Sequence, residues 1–221
     1  MYFCHKFIFM ITVKSFIFNP FQVNTYLLFD ETKEAVIIDP GCLEDYEKKE
    51  ISDFITSQKL KPVRLLNTHP HIDHIAGNKF IAETYGLILE VHKDSIALLR
   101  SAKGFAVAFG FAQVEALEPG NFLSEGDIIT FGNSELKILY TPGHADGSVC
   151  FYSEKNKFVI VGDVLFNEGI GRTDFPTGNY DVLIKNINTK LFTLPDDTEV
   201  YPGHGHSTTI GYEKENNPFL T

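Results

Sequence analysis

The sequence is poor in three features: paired cysteines, long apolar runs and positive charge. Cys4, Cys42 and Cys150 are widely spaced and form no CxxC pair, which favours free thiols in a reducing compartment. No apolar stretch approaches the length of a membrane-spanning helix. Lys and Arg number 19 against 29 Asp and Glu, and this formal charge of −10 argues against a broad nucleic-acid-binding surface. These deficits predict a cytoplasmic protein that binds neither membranes nor nucleic acid.

The length and composition are those of a soluble globular protein. The 221 residues, 43% of them apolar and 22% charged, are enough for one domain with a sizeable core. The N-terminal stretch is rich in Phe and Ile, but Lys6 and Lys14 interrupt it and no small-residue cleavage site follows, so it does not read as a secretory signal. We expect residues 1–10 to be a dispensable extension, with Met10 as a candidate start, and residues 11–221 to form a single domain.

The densest group of candidate metal ligands is His69, His71, Asp73 and His74, in a loop that follows the apolar run 63–66. In an extended turn His69 and His71 point the same way, and the other two come round at the start of the next helix. A lone loop histidine is usually solvated, but imidazoles and a carboxylate this close together suit zinc or iron. The spacing therefore predicts that one loop serves two neighbouring metal sites.

Further candidate ligands directly follow apolar segments elsewhere in the chain. Ligands on turns at successive strand ends converge on one edge of a sheet. These candidates are Asp39 after 35–38, His144 in the turn after 136–140, Asp163 after 158–161 and His204 after 199–201. Asp39 has two readings, as a simple turn cap or as a partner that orients a ligand histidine. His5, His92 and His206 are interpreted as ordinary histidines.

Hydrophobic periodicity predicts an alternation of strands and helices. The predicted strands are 12–18, 25–29, 35–38, an extended segment from Pro62 to the histidine loop, 87–91, 128–131, 136–140, 148–152, 158–161 and 199–201. The predicted helices are 45–58, 75–85, 95–100 and 181–192. Residues 101–119 have the weakest pattern, and a loop or irregular helix and a lid over the site are both compatible with it.

The block His69-x-His71-x-Asp73-His74, followed by His144, Asp163 and His204 and preceded by Asp39, resembles the metallo-β-lactamase-fold hydrolases, specifically their glyoxalase II-like branch, which includes hydroxyacylglutathione hydrolases. The resemblance covers nearly the whole chain after the first ten residues. It implies an α+β fold, a four-layer αββα sandwich of two mixed sheets with the metals at one edge. It also implies two divalent ions, zinc first, with iron or manganese as alternatives.

The same resemblance assigns a role to each candidate ligand. His69, His71 and His144 would hold one ion, Asp73, His74 and His204 the other, and Asp163 would bridge them, with Asp39 behind the ligands. The implied activity is hydrolysis of a thioester by a hydroxide held between the ions, which Asp73 and Asp163 help to position. We expect His74 to favour a thioester or another ester over a β-lactam.

Two features depart from glyoxalase II proper. We expect no C-terminal helical glutathione domain after residue 221, and Arg172, Thr173 and Asp174 stand where that family has the segment that contacts glutathione. Arg172 can hold a substrate carboxylate bidentately, or these residues form only a salt-bridged loop.

An alternative function comes from the segment 169–175, which also resembles persulfide dioxygenases, enzymes of the same fold with one iron held by two histidines and an aspartate. The expected partner in either case is a small molecule, a thioester in the first reading. A homodimer is compatible with the sequence.

Overall fold

The structure, a computed structural model, describes residues 10–111 and 114–220, with the backbone alone at residues 103 and 108. Its strands are β1 (Thr12–Phe18), β2 (Val23–Phe29), β3 (Glu34–Ile38), β4 (Lys61–Leu66), β5 (Leu89–His92), β6 (Asn121–Leu123), β7 (Ile128–Phe131), β8 (Ser134–Tyr140), β9 (Val149–Ser153), β10 (Phe158–Gly162), β11 (Leu165–Phe166), β12 (Gly169–Ile170), β13 (Glu199–Pro202) and β14 (Thr208–Thr209). Its α-helices are α1 (Asp45–Ser57), α2 (Asn78–Tyr85), α3 (Ile96–Ala108), α4 (Tyr180–Asn186) and α5 (Ile210–Asn216). The expectation of a dispensable extension concerns mainly residues 1–9, which lie outside the described residues.

Two mixed six-stranded sheets dominate the fold. The first has the order β1-β2-β3-β4-β5-β6, antiparallel up to β3 and parallel from β3 onward. The second has the order β14-β13-β10-β9-β8-β7, in which only β10 and β13 run parallel. A small hairpin of β11 and β12 stands apart from both.

The period-2 alternation of the central strands explains why the two sheets stack. Tyr26 and Leu28 of β2 face the second sheet, where they meet Ile138 and Phe151, while Leu27 points to the opposite side. Each sheet is therefore apolar on both faces, and its outer face must be shielded from water by other elements.

The helices shield these outer faces. Ile51 of α1, Ile81 of α2 and Leu99 of α3 pack on the outer face of the first sheet. Leu183 of α4 and Ile210 of α5 pack on the outer face of the second sheet. The layers are helix, sheet, sheet, helix, which confirms the predicted αββα sandwich with two mixed sheets.

Some predicted boundaries were wrong. The short helix expected at 95–100 continues to Ala108, so the first part of 101–119 is helical. The helix expected at 75–85 begins only at Asn78, because Gly77 takes the N-cap position and residues before it form the ligand loop. The helix expected at 181–192 is α4 followed by a π-helical turn, Ile187–Leu191.

Candidate metal centre

Hydrogen bonds from side-chain and backbone amide groups hold the ligand loop after β4 in place. The Asn67 side chain donates to the Asp39 carboxylate at 3.2 Å and to the His74 carbonyl oxygen at 3.1 Å, and Asn78 donates to Asn67 in turn. At the end of the loop the Gly77 N–H donates to the Pro40 carbonyl oxygen at 2.7 Å. The loop is therefore held against the β3 turn, and its histidines project from a rigid base.

The first group of candidate ligands is His69, His71 and His144. The Nε2 atoms of His69 and His144 lie 3.0 and 2.9 Å from Nδ1 of His71. Burial, reinforced by the neighbouring imidazoles, lowers the pKa values of all three histidines, to about 3 for His71. Neutral imidazoles whose ring nitrogens converge on one point are the donor set that a divalent transition metal requires.

The second group is Asp73, His74 and His204. Oδ2 of Asp73 lies 3.1 Å from Nε2 of His204 and 3.6 Å from Nε2 of His74. Burial alone would lower the pKa of His74, but the carboxylates of Asp73, Asp163 and Asp39 outweigh it and raise that pKa well above its usual value. Three carboxylates therefore concentrate negative charge around the buried His74, where a cation is favoured.

Asp163 lies between the two groups. Its Oδ1 is 3.4 Å from His74 Nε2, and its Oδ2 is 3.7 Å from His144 Nε2 and 3.6 Å from His204 Nε2. Burial is the largest single influence and raises the pKa of Asp163, but His74, His144 and His204 together outweigh it and lower that pKa, so the carboxylate is charged. One carboxylate thus faces ligands of both groups, the position expected for a bridge.

Two observations test whether metal ions fit here. His74 Nε2 and Asp163 Oδ1 are buried and have no hydrogen-bond partner among the described residues, although buried polar atoms are normally satisfied. A Cβ atom at Gly203 would stand 2.1 Å from Asp163 Oδ1 and 2.7 Å from His74 Cε1, so glycine is needed to leave the ligands room. The donor set and its orphaned atoms fit two ions.

Hydrogen bonds at the far side of the rings orient the histidines. Nδ1 of His74 donates to Asp39 at 2.9 Å, Nδ1 of His144 to the Arg172 carbonyl oxygen at 2.7 Å, and Nδ1 of His204 to the Phe21 carbonyl oxygen at 3.0 Å. His69 Nδ1 lies 3.0 Å from the hydroxyl of Thr68. These contacts leave each Nε2 free to ligate, while His71 presents Nδ1.

Asp39 has the orienting position that the sequence left open. Asp39, His69 and His74 also form a compact group, but the Asp39 carboxylate is already used by hydrogen bonds from Asn67, Thr68 and His74. We therefore assign Asp39 to positioning and not to a third metal site. The sequence analysis did not identify Thr68 as an orienting residue, and its position next to His69 was the one feature of the sequence that could have indicated this role.

An apolar cavity of about 590 Å³ opens over the ligands. Its floor is formed by His71, Asp73, His144, Asp163 and His204. Its walls come from the β1–β2 turn, α3, the small hairpin and the segment after it; they include Phe21, Leu98, Ala102, Phe105, Phe109, Phe166, Ile170, Arg172, Phe175 and Pro176. A volume in this range suits a small-molecule substrate.

The three candidate substrate-binding residues have different positions. Arg172 borders the cavity, whereas Thr173 and Asp174 are not among the described residues that line it. The Arg172 guanidinium donates two hydrogen bonds of 2.7 Å to Asp174 and stacks 3.9 Å from the centre of the Phe175 ring. The salt-bridged loop that the sequence offered as an alternative is therefore formed.

The two other histidines among the described residues, His92 and His206, belong to none of these ligand groups. His92 stacks on Tyr140 with ring centres 4.1 Å apart, and His206 is exposed. His5 lies outside the described residues.

Comparison with known proteins places the chain among metal-dependent enzymes. The model of the metallo-beta-lactamase superfamily matches residues 18–204. Hydroxyacylglutathione hydrolase GloC of Haemophilus influenzae is 39% identical over 90% of this chain and 93% of its own length. Among the described residues, none of the helices has the length and apolar character needed to cross a membrane.

Two solved structures show the same fold at substantial identity. BLEG-1 B3 metallo-beta-lactamase superposes with a TM-score of 0.85 at 34% identity, covering 95% of this chain and all of that one. ETHE1 from Myxococcus xanthus superposes with a TM-score of 0.77 at 30% identity, covering 94% of this chain and 83% of that one.

Proposed function

The chain belongs to the metallo-beta-lactamase superfamily, and we propose that it is a two-metal hydrolase that cleaves a thioester such as a hydroxyacylglutathione. The observation that carries this proposal is the position of Asp163, whose two oxygens face His74 on one side and His144 and His204 on the other. A mononuclear site would have no use for the complete second group of Asp73, His74 and His204.

Two bound divalent ions would lower the pKa of a bound water molecule to about 7 and would stabilise negative charge on the substrate oxygen. The chain's own contribution is to fix the donors. Asp39 and the carbonyl oxygens of Phe21 and Arg172 hold imidazole rings in the tautomer that ligates. Asp73 and Asp163, both charged and both at the cavity floor, would position the attacking water.

The leaving group explains why the site needs no separate general acid. A thiolate has a pKa near 8.5 and departs without prior protonation. Both carboxylates on the cavity floor lie among histidines, as ligands would, and neither is placed as a free proton donor. This arrangement suits a thioester better than an amide, whose amine must be protonated to leave. The name of the Haemophilus influenzae relative, a hydroxyacylglutathione hydrolase, supports the same substrate class.

Two other activities are retained as alternatives. The likeness to the ETHE1 structure, together with the segment 169–175, favours a mononuclear iron persulfide dioxygenase as the second candidate. The likeness to a B3 metallo-beta-lactamase makes a β-lactam a substrate to include in the assay. We propose zinc as the resident metal, with iron or manganese as alternatives, and a cytoplasmic enzyme that acts on a small molecule.

The deciding experiment combines elemental analysis of protein purified without chelator with assays on S-lactoylglutathione, a chromogenic cephalosporin and glutathione persulfide. We expect about two metal ions per chain and hydrolysis of the thioester. A single iron with oxygen consumption and no hydrolysis would transfer the assignment to the dioxygenase and leave His74 and His204 outside the metal site. Cephalosporin hydrolysis without thioesterase activity would identify a β-lactamase.

A further inference from the structure

Among the described residues, the walls of the cavity are formed mainly by apolar side chains. Leu98, Ala102 and Phe105 line it from α3, and Phe166 and Ile170 from the small hairpin. The β1–β2 turn contributes Phe21, whose ring centre lies 6.2 Å from that of Phe109, edge-to-face, and 5.0 Å from that of the buried Phe111. Aromatic pairs of this geometry hold the β1–β2 turn against the end of α3.

Several of these apolar rings are accessible to solvent. The exposed fractions are 42% for Phe21, 39% for Phe105 and 47% for Phe109. Large apolar side chains gathered around one opening mark a surface that is covered when a ligand binds. Because the same cavity is also lined by the candidate metal ligands, a substrate bound over them would cover these rings.

The same cavity has few groups that could bind a negatively charged part of a substrate. Arg172 is the one Lys or Arg among the described residues that line it, and its Nε–H and one Nη2–H already donate to the Asp174 carboxylate. Its flat face is stacked on Phe175. Glutathione carries two carboxylates and an ammonium group, and the described lining offers no unpaired cation to receive a carboxylate.

We propose that the preferred substrate is a thioester with an extended apolar group, which packs between α3 and the small hairpin while the thioester carbonyl lies over the metal ligands. This inference rests on the proposed thioesterase function and specifies its substrate class. The apolar group belongs either to the acyl chain or to the thiol, since apolar walls stand beside both ligand groups.

The test is a homologous series of neutral thioesters. One arm varies the acyl group of N-acetylcysteamine thioesters from acetyl to octanoyl, and the other varies the thiol from ethyl to octyl at a fixed acetyl group. Burial of each methylene predicts a rise in kcat/KM of about fourfold per carbon in one arm until the cavity is filled. The arm that rises identifies the apolar end.

Variants of the wall separate specific packing from general hydrophobicity. Phe105→Ala and Leu98→Asn lie on partly exposed positions of α3, so the core is retained, and each should lower the octanoyl-to-acetyl selectivity ratio by about tenfold. Val107→Ala is the matched control, because Val107 is on the same helix but 66% exposed and outside the cavity lining. It should leave the ratio unchanged.

A binding measurement gives a readout independent of turnover. Octyl thioether analogues, which cannot be hydrolysed, should bind with a negative heat-capacity change that Phe105→Ala reduces. A flat chain-length profile in both arms, with S-lactoylglutathione cleaved faster than every neutral ester, would overturn the apolar specificity and leave the thioesterase standing. Failure to cleave any thioester would overturn both.

Discussion

Asp39 holds Thr68 through both of its carboxylate oxygens: Oδ1 accepts the Thr68 N–H at 2.7 Å, and Oδ2 accepts the Thr68 hydroxyl at 2.6 Å. The same Oδ2 lies 2.9 Å from His74 Nδ1, while the Thr68 hydroxyl oxygen lies 3.0 Å from His69 Nδ1. One buried carboxylate therefore orients a histidine in each ligand group, directly for His74 and through a hydroxyl for His69.

Removing the Thr68 hydroxyl should weaken metal binding without removing a ligand. In Thr68→Val the side chain keeps its volume, but His69 loses its acceptor and Asp39 a donor, and we expect metal affinity to fall by about 10- to 100-fold. Competition with a chromogenic chelator measures the affinity, and Thr68→Ser is the control that restores the hydroxyl. If Thr68→Val retains wild-type affinity, the hydroxyl does not orient His69.

Loss of a ligand should have a larger effect than loss of an orienting group. His71→Ala and Asp163→Asn should each abolish metal retention or turnover, with a far-ultraviolet circular dichroism spectrum like that of the metal-free wild type. His206→Ala is the matched control, since His206 is exposed and outside the ligand groups. Normal activity in either ligand variant would refute the assigned site.

Gly203→Ala tests the space beside the ligands. Its Cβ would displace Asp163 and His74, so metal content and activity should fall sharply while the sheets persist. Gly205→Ala is the neighbouring control: beyond its chain neighbours, no heavy atom of the described residues lies within 4 Å of an added Cβ, although its φ of +76° adds strain of about 1 kcal/mol. Equal metal content in the two variants would show that the site tolerates a methyl group at residue 203.

The environment of Asp30, which is not one of the candidate metal ligands, should make the stability of the fold depend on pH. Burial alone raises its pKa, but hydrogen bonds from Thr32, Ser134 and the Asn133 N–H outweigh this and lower it below the usual value. A carboxyl group with a lowered pKa in the folded state stabilises the fold above its unfolded pKa. That stabilisation is lost as the pH falls through the folded pKa.

Asp30→Asn should therefore lower the free energy of unfolding at pH 7 by about 1–3 kcal/mol, and the difference from wild type should shrink below about pH 4. Urea denaturation at both pH values measures it. Asp53→Asn, at an exposed i,i+4 ion pair with Lys49, should change stability by about 0.5 kcal/mol or less. A pH-independent difference for Asp30→Asn would contradict the assignment.

The sequence predicted most of the fold because the long strands have clear alternation. Strand β1 has the predicted bounds of 12–18, and His144, Asp163 and His204 could be singled out as candidate ligands because each follows a strand. The extent of α3 was not predictable from its pattern, since Gly104 and the surrounding Phe and Ala residues blur the helical period, and packing of Leu99, Ala102 and Ala106 on the first sheet decides it.

Very short strands and contacts between distant residues could not be predicted from the sequence. Strands β11, β12 and β14 have two residues each, too few for an alternation to show. The bond from Thr68 to Asp39 joins residues 29 positions apart, and only the parallel pairing of β3 with β4 brings them together. Such tertiary partners are set by topology and not by local pattern.

Each ligand group takes two side chains from the first half of the chain and one from the second: His69 and His71 with His144, and Asp73 and His74 with His204. In the two-metal enzyme we propose, each ion is therefore a cross-link between segments far apart in the chain, 73 positions for His71 and His144. Two hydrogen bonds also connect these two halves: the Tyr26 hydroxyl donates to the Pro202 carbonyl oxygen at 2.6 Å, and the Asn24 N–H donates to the Gly203 carbonyl oxygen. Metal binding and the association of the two halves of the chain are then thermodynamically coupled. Removal of the metal ions would weaken the contact between the halves before it disturbed either sheet.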